Sequence, residues 1–425
     1  MSSAFHIHIG GAGVMIGDML WQLYEKEYNE TNQKNYIYNE VDGNHYPLAL
    51  FVDTDDRMIH EVQRNKSVKF KKHSFLHGKE DALTYARGCY DGGRLIQDEA
   101  LECIRKQIET MDRLDEFVIT SSISGGTGSG FCTRLVAELN WQGGYREVRK
   151  NGFIIFPSSE MSNNIIDTYN AVLSINIMRE YLTSITIFDN QSMYNVIDHQ
   201  LGLDFVDYQH LNNLVAQIIS SYTGLRRFNS EDNSEFFSNM CPYPHLQFII
   251  PSYGKLTLMN DYNRKELESK QFIQYLTTKD QKLYQCPSNP NHILTTLLLR
   301  QQYLNPFFGK LDIIHKNLDY FFGYRSDIFQ CKSSNYQVLP ELAEMKQTGT
   351  FFSNDASIVS RLQALLDKFY KFKKRQAYTD TYLKEGMENR EFSEAEERLS
   401  SLIIDYDEFR NFEQYINRDL KQDEL

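Results

Sequence analysis

The sequence predicts an α/β fold built on a mostly parallel sheet with helices on both faces. Short apolar segments alternate with amphipathic segments of helical periodicity up to Asn190, which is the pattern of repeated strand–helix–strand units. Glycine-rich or polar loops follow several of the apolar segments. Because ligands of parallel sheets bind beyond the carboxyl ends of the strands, this pattern predicts a binding site along one edge of the sheet.

The elements of the first half follow in a regular order. We predict strands at residues 4–9, 48–52, 117–123, 153–156 and 185–188. Helices are expected at residues 14–24, 57–65, 93–110, 135–141 and 165–181, where apolar side chains recur at helical spacing.

The second half is predicted to begin with a helix at residues 208–222 that leads to further strands. Those strands are expected at residues 246–250, 293–299 and 349–352, and residues 330–347 are expected to form a long polar loop of a functional or mobile kind. From Asp355 onward the pattern predicts helices, and Ser393 with Glu396 matches a capping box that would open the last helix.

The loop in FVITSSISGGTGSGF (117–131) is the first candidate binding element. It joins an apolar strand to an amphipathic helix, and its glycines allow backbone N–H groups to approach an anion. Thr127 and Ser129 would add hydroxyl donors. The loop has no lysine, so it is not G-x-x-x-x-G-K-[ST], and an ordinary strand–helix turn remains the alternative.

Composition excludes several classes of function. The formal net charge of −12 argues against a general binder of nucleic acids or anionic membranes. The six cysteines contain no C-x-x-C pair, which predicts reduced, buried thiols rather than a zinc site. With no targeting pattern at the start and no apolar run of membrane-spanning length, we expect a soluble intracellular protein.

Several separated motifs resemble those of tubulins, and among tubulins those of a divergent α subunit. The matching motifs follow the tubulin order from residue 4 to about residue 410. They are IHIGGAGVMIG (7–17), FVDTDDRMIHEVQ (51–63), GKEDALTYARG (78–88), SGGTGSGF (124–131), YNAVLS (169–174), QIISS (217–221), SEFFSNMCPYPHLQF (234–248) and EGMENREFSEAEERL (385–399). The motifs at 78–88 and 385–399 are the most specific.

The resemblance implies a tubulin-like α/β fold in three parts. A GTP-binding domain with the parallel sheet would span residues 1–189. An intermediate α/β domain with a core helix and an activating loop would span residues 190–355, and a C-terminal helical hairpin would span residues 356–425.

The resemblance also implies GTP and Mg²⁺ as cofactors. The phosphates would be held by Gly10, Gly11, Ala12, Ser124, Gly125, Gly126, Thr127 and Gly128. Asp53 and Asp55 would lie near the phosphates, with Asp55 as the metal-binding residue.

The nucleoside would be recognised by a second set of residues. The resemblance gives Asp167 to the ribose, Asn190 and Asn212 to the guanine edge, and Tyr208 to stacking on the base. Amide side chains can donate and accept on a purine edge, and an aromatic ring suits a flat base. Taken singly, the two asparagines would more often be cap or turn residues, and the tyrosine a core residue.

Departures from the tubulin pattern predict weaker nucleotide binding. In the first loop, Gly11 and Met15 replace two amide side chains, and in the third loop residues 83–84 replace two asparagines. Ser124 replaces the first glycine of the glycine-loop motif, and Asp55 replaces a glutamate. Each lost bond to a charged phosphate is worth about 1.5–3 kcal/mol, so we expect GTP binding to persist in weakened form or GDP to be tolerated.

Asp232 and Glu235 are the predicted catalytic pair. By resemblance they would project towards the GTP of the next subunit in a filament and polarise the attacking water, as carboxylates acting as general bases do. β-type tubulins carry a lysine in place of this glutamate, so Glu235 indicates an α-like chain. The alternative is an acidic first helical turn favoured by the helix dipole.

These features predict an α-tubulin-like GTP-binding subunit of microtubules. Its partners would be a β-type tubulin and the longitudinal and lateral tubulin neighbours, with neither nucleic acid nor membrane, and its place the cytoplasm and cytoskeleton. The alternative is a specialised tubulin-fold binding protein, acting as a cap, a sequestering subunit or a nucleating component. Eroded phosphate loops and a terminus without a glutamate-rich tail favour that alternative, and an autonomous GTPase is the weakest candidate.

Overall fold

A large central sheet organises the computed structural model, which describes residues 2–141, 144–158, 164–203, 205–229, 234–243, 245–259, 269–302, 326–345 and 347–423. Within these ranges the strands are β1 (Ser2–Ile9), β2 (Tyr38–Val41), β3 (Asn44–Pro47), β4 (Ala49–Asp53), β5 (Phe75–His77), β6 (Arg113–Ser122), β7 (Arg149–Phe156), β8 (Ser184–Asp189), β9 (Phe248–Gly254), β10 (His292–Gln301), β11 (Ser326–Lys332) and β12 (Gln347–Asp355).

Helices surround the sheet. In the described part of the chain they are α1 (Gly10–Glu27), α2 (Arg57–Arg64), α3 (Tyr85–Tyr90), α4 (Gly92–Ile108), α5 (Cys132–Trp141), α6 (Ile165–Tyr181), α7 (Asn190–Leu201), α8 (Tyr208–Asn229), α9 (Ser234–Met240), α10 (Ser269–Thr277), α11 (Val359–Lys374), α12 (Thr379–Lys384) and α13 (Asn389–Asp423). None of these helices is both long and apolar enough to cross a membrane.

The sheet has the strand order β11-β10-β12-β9-β8-β7-β6-β1-β4-β5. Neighbours from β9 through β5 are all parallel, and β12 alone runs antiparallel to both of its neighbours. A separate hairpin pairs β2 with β3. The mostly parallel α/β class predicted from the sequence is therefore confirmed.

Two apolar cores lie on opposite faces of the sheet. Strand β1 shows the division, because Phe5, Ile7 and Ile9 belong to one core while Ala4 belongs to the other, as the alternation of side chains along a strand requires. Helix α8 lies in the second core and is buried along most of its length. Helix α8 is therefore a major component of the second core.

The predicted capping box is wrong. Helix α13 begins at Asn389, one turn before Ser393. The carboxylate of Glu391 accepts a hydrogen bond from the Glu388 N–H at 2.7 Å and supplies the local cap. Ser393 and Glu396 instead accept hydrogen bonds from Lys373 Nζ, at 2.9 and 2.6 Å, so they join α13 to α11.

The predicted long loop is shorter than expected and firmly anchored. Strand β11 continues to Lys332, and the irregular segment that follows runs from Ser333 to Met345. The Glu30 carboxylate accepts hydrogen bonds from the backbone and side chain of Ser334 at 2.7 and 2.6 Å. Gln217 of α8 donates to the Tyr336 carbonyl at 2.7 Å, so this segment packs as part of the second core.

All six cysteines are free, as expected, and all except the partly buried Cys241 are buried. The division into three domains at residues 189 and 355 stays a prediction. One sheet runs across the first of these boundaries, because Ile185 and Thr186 of β8 pair with Phe248 and Ile249 of β9.

Candidate functional site

Four parallel strands end at one edge of the sheet, and most of the predicted site residues lie at or just after their ends. Strands β1, β4, β6 and β8 end at Ile9, Asp53, Ser122 and Asp189. Parallel strands share the direction of their carboxyl ends, so the loops that follow lie side by side.

The glycine loop turns tightly from β6 into α5 through a π-helical turn at Thr127–Phe131. Its glycines have different surroundings. A Cβ at Gly126 would lie 2.4 Å from the carbonyl oxygens of Ala82 and Thr84, and one at Gly128 would lie 2.2 Å from the Ser122 oxygen. Around Gly125 no described atom lies within 4 Å of such a Cβ. Gly126 and Gly128 are therefore required for packing, whereas Gly125 faces open space.

The start of α1 lies against this loop. Gly10 has a φ of +72°, and a Cβ there would lie 3.1 Å from the Gly128 nitrogen. Gly11 and Ala12 are partly buried in the first turn of α1. The described geometry thus brings the predicted residues of the first loop next to the glycine loop.

Asp53 lies beside the same loop and is almost completely buried. Its Oδ1 accepts a hydrogen bond from the Thr54 N–H at 2.7 Å, and the hydroxyl groups of Thr54 and Thr127 are 2.6 Å apart. Burial raises the pKa of the Asp53 carboxyl to about 6, and the bonds from Thr127 and the backbone offset only part of this shift. Because burial disfavours the ionised form of this carboxylate, a bound cation would stabilise it.

Asp55 has different surroundings from Asp53. It is partly exposed and forms a hydrogen-bonded ion pair with Arg57. The bond from Arg57 holds the pKa of the Asp55 carboxyl below its usual value. The predicted metal ligand is therefore already paired with a cation.

Asp167 is in the first turn of α6, where its carboxylate accepts a hydrogen bond from the Asn164 side chain at 3.0 Å. One turn further along the helix, Asn170 donates to the Ser124 carbonyl at 2.8 Å. The start of α6 therefore adjoins the glycine loop.

The three residues predicted to recognise guanine gather around the starts of α7 and α8. Asn190 is the first residue of α7, and Tyr194 follows one turn later on the same helix face. The rings of Tyr194 and Tyr208 are 6.4 Å apart, and Tyr208 is 63% exposed. Asn212 lies one turn beyond Tyr208 on α8 and is partly buried. An exposed aromatic face thus lies near two amide side chains.

Asp53 and Asp55 are the carboxylates that this edge offers to a metal ion. Within the described ranges, no group of three or more His, Cys, Asp or Glu side chains could hold a metal ion. Mg²⁺ commonly uses one or two carboxylates together with phosphate oxygens and waters. Asp53 is buried beside the glycine loop, whereas Asp55 is already paired with Arg57, so Asp53 fits that requirement better than Asp55.

The predicted catalytic pair is described only in part. Asp232 lies outside the described residues. Glu235 is exposed in the first turn of α9. Its side chain is thus free to meet another molecule.

Two further residues of this edge were missed by the sequence analysis. The hydroxyl of Thr54 contacts Thr127 and also accepts a hydrogen bond from the Ala82 N–H at 3.1 Å. Asn170 is fully buried and bonds to both neighbouring loops. Asn170 occurs in the YNAVLS motif, but nothing in the sequence signals its partners.

A glycine loop between a parallel strand and a helix, with a buried carboxylate beside it, is typical of α/β nucleotide-binding proteins. Residues 3–198 match the Tubulin/FtsZ family, GTPase domain. The chain is also 29% identical to the "Tubulin alpha-3 chain" of Zea mays over 437 aligned positions, which cover 96% of each protein. Residues 3–198 therefore carry the GTPase domain of the Tubulin/FtsZ family, and the chain is similar to an α-tubulin along nearly its whole length. The match to this GTPase family implies guanine-nucleotide binding.

Proposed function

We propose that this protein is an α-tubulin-like subunit that binds GTP at the carboxyl edge of its sheet and pairs with a β-type tubulin in microtubules. The observation that supports it most strongly is the glycine loop beside a buried carboxylate, together with an exposed Tyr208 at the start of α8, next to α7, which begins at Asn190. The first set suits phosphates and the second suits a purine base.

In this proposal the backbone carries most of the phosphate binding. The open face at Gly125 lets the phosphates approach the N–H groups of the loop, and Gly10 and Gly11 supply further donors from the start of α1. Asp167 binds the ribose hydroxyls. Asn190 and Asn212 bond to the guanine edge while Tyr208 stacks on the ring.

Mg²⁺ would supply charge neutralisation for the phosphates. Asp53 is the residue we assign to it, directly or through a water molecule, because burial raises the pKa of its carboxyl and a cation would stabilise its ionised form. Asp55 could join the metal only after releasing Arg57. This exchange is a physical reason to expect weaker binding than the tubulin pattern implies.

Hydrolysis is proposed to occur across a subunit interface. Glu235 is exposed at the start of α9, and a carboxylate aimed at a neighbour can polarise the water that attacks its nucleotide. Asp232 is proposed to assist. On this proposal the isolated chain should hydrolyse GTP very slowly, since its own site lacks the carboxylate that a neighbour contributes.

The second candidate is a tubulin-fold binding protein that joins only one partner. Two observations favour it: the ion pair that occupies Asp55 and the absence of any side chain at Gly11. Both reduce the polar groups available to the phosphates and would suit a site that holds its nucleotide without turnover.

The experiment that tests the proposal is copolymerisation with a β-type tubulin. We expect mixed polymers, and Glu235→Ala should slow GTP hydrolysis in them by about a hundredfold or more, since a positioned general base contributes roughly 10²–10⁴-fold. Glu40→Ala removes another exposed glutamate, on strand β2, and should leave the rate unchanged. Equal rates for all three proteins would overturn the catalytic assignment, and failure to enter polymers would favour the second candidate.

A further inference from the structure

Asn170 of α6 joins three parts of the chain that are far apart in sequence. Its side-chain nitrogen donates to the Leu83 carbonyl at 3.0 Å and to the Ser124 carbonyl at 2.8 Å. Its side-chain oxygen accepts from the Tyr85 N–H at 2.7 Å and from the Tyr382 hydroxyl at 2.8 Å. All the hydrogen-bonding capacity expected of a carboxamide with two donors and two acceptor sites is used.

The amide lies between two loops at the candidate site. Residues 82–85 approach the glycine loop directly, because the Gly126 N–H donates to the Ala82 carbonyl at 3.0 Å. This approach is close enough to exclude a Cβ at Gly126. Asn170 bonds to the loops on either side of this contact and is itself completely buried. Asn170 therefore adds two bonds to the links that hold these loops together, beside the Gly126–Ala82 backbone bond and the contacts of Thr54.

The same network continues into the C-terminal helices. Tyr382 belongs to α12 and is fully buried, and the Thr84 hydroxyl donates to Glu385 just beyond that helix. Further along, Tyr90 of α3 donates to Glu391 of α13. The two most specific motifs of the sequence, at 78–88 and 385–399, are therefore bonded to each other.

We propose that Asn170 is a positioning residue for phosphate binding, which holds the glycine loop and residues 82–85 at a fixed spacing and ties that spacing to α12 through Tyr382. This inference rests on the proposed function, since it assumes that phosphates bind at these loops. Asn170 itself is buried beneath the loops and does not touch the nucleotide. Its removal should therefore weaken contacts to the β- and γ-phosphates and spare those to the base.

The test measures two affinities for each variant, by competition of unlabelled GTP and GMP against a fluorescent guanine nucleotide. Asn170→Ala should lower the affinity for GTP about tenfold, the loss expected when hydrogen bonds to charged phosphates are misplaced, and that for GMP less than about twofold. Asn176→Ala is the matched control. It changes the same residue type two turns later on α6, where the amide oxygen has no hydrogen-bond partner among the described residues, and should change neither affinity.

Tyr382→Phe removes a single hydroxyl that donates to Asn170, and it tests the positioning role of Asn170 if Asn170→Ala does not fold. It should lower the affinity for GTP about threefold, as expected for one neutral hydrogen bond, and leave that for GMP unchanged. Equal losses for GTP and GMP, or an unchanged affinity for GTP in both variants, would overturn the role of Asn170. If the unaltered protein binds neither nucleotide, the proposed function itself fails, and the two failures are thereby distinguished.

Discussion

The Asp53→Asn substitution distinguishes two effects of this buried carboxylate. One is the free energy that its ionised form costs the nucleotide-free fold, and the other is its contribution to binding Mg²⁺ and GTP. The pKa of this carboxyl is about 6 in the folded protein against a reference value of 3.8, and each unit corresponds to about 1.4 kcal/mol. The difference of about two units means that the ionised side chain costs the nucleotide-free fold up to about 3 kcal/mol. Asparagine keeps an oxygen that can accept the Thr54 N–H and removes the charge.

The direction of the pKa shift of Asp53 determines how the stability of the fold depends on pH. Because the folded-state pKa is raised, the contribution of Asp53 to stability is complete below about pH 3.8 and is lost as the pH rises through about 6. The nucleotide-free Asp53→Asn variant should therefore be more stable than the original protein at pH 7.5, and the difference should shrink towards pH 4.

Urea unfolding of the nucleotide-free proteins at several pH values measures the effect. Asp55→Asn is the control, since that carboxyl is partly exposed and its pKa is lowered by Arg57. It should show no stabilisation at pH 7.5. When Mg²⁺ and GTP are added, the original protein should gain more stability than Asp53→Asn. An Asp53→Asn variant that is no more stable at pH 7.5, with an unchanged pH profile, would refute the reasoning.

Three further predictions concern other parts of the structure. Gly126→Ala should destabilise the fold by about 1–3 kcal/mol, because its Cβ would overlap two carbonyl oxygens. Gly125→Ala should leave thermal stability unchanged and weaken GTP binding. Equal melting temperatures for the two variants would contradict this prediction. Glu27→Gln should cost about 3–5 kcal/mol in chemical denaturation, because Glu27 is the buried partner of two buried arginines, and Glu25→Gln, a half-exposed neighbour, should cost far less. His6 is fully buried, with no partner for either ring nitrogen among the described residues, and burial lowers its pKa far below 6.5. Protonation of the unfolded chain should therefore reduce stability as the pH falls below about 6.5, and His6→Phe should flatten that slope in urea titrations at pH 5–7.

The local elements were predictable because their signals are local. The bounds of α6 match the predicted helix at 165–181, and β1, β4 and β8 lie where apolar segments indicated strands. One local pattern gave a wrong prediction. Ser393 and Glu396 have the spacing of a capping box but do not begin the last helix. The Glu391 carboxylate caps the helix earlier, and the sequence gives no measure of which candidate cap prevails.

The rest of the site depends on contacts between distant segments. The sequence contains several glycines in one loop, but only the facing carbonyls of Ala82 and Thr84 make Gly126 a packing residue and leave Gly125 open. The four bonds of Asn170 come from segments up to 212 residues away.

The segment after β11 is held in the same long-range way. The loop was expected to be functional or mobile, and the structure anchors it through Arg300, which donates both to the Ser334 carbonyl and to Glu27. Helix α7 was not predicted, because the sequence analysis placed no element between the strand at 185–188 and the helix at 208–222. Asp189 ends β8 and also caps the helix that starts at Asn190.

Calorimetric titration of the nucleotide-stripped protein with GTP, and separately with ATP, tests the central claim most directly. The account predicts saturable binding of one GTP per chain, weaker than the full tubulin pattern would give, and no binding of ATP, since the amides of Asn190 and Asn212 are assigned to the guanine edge. Absence of heat with GTP, or equal binding of both nucleotides, would contradict it.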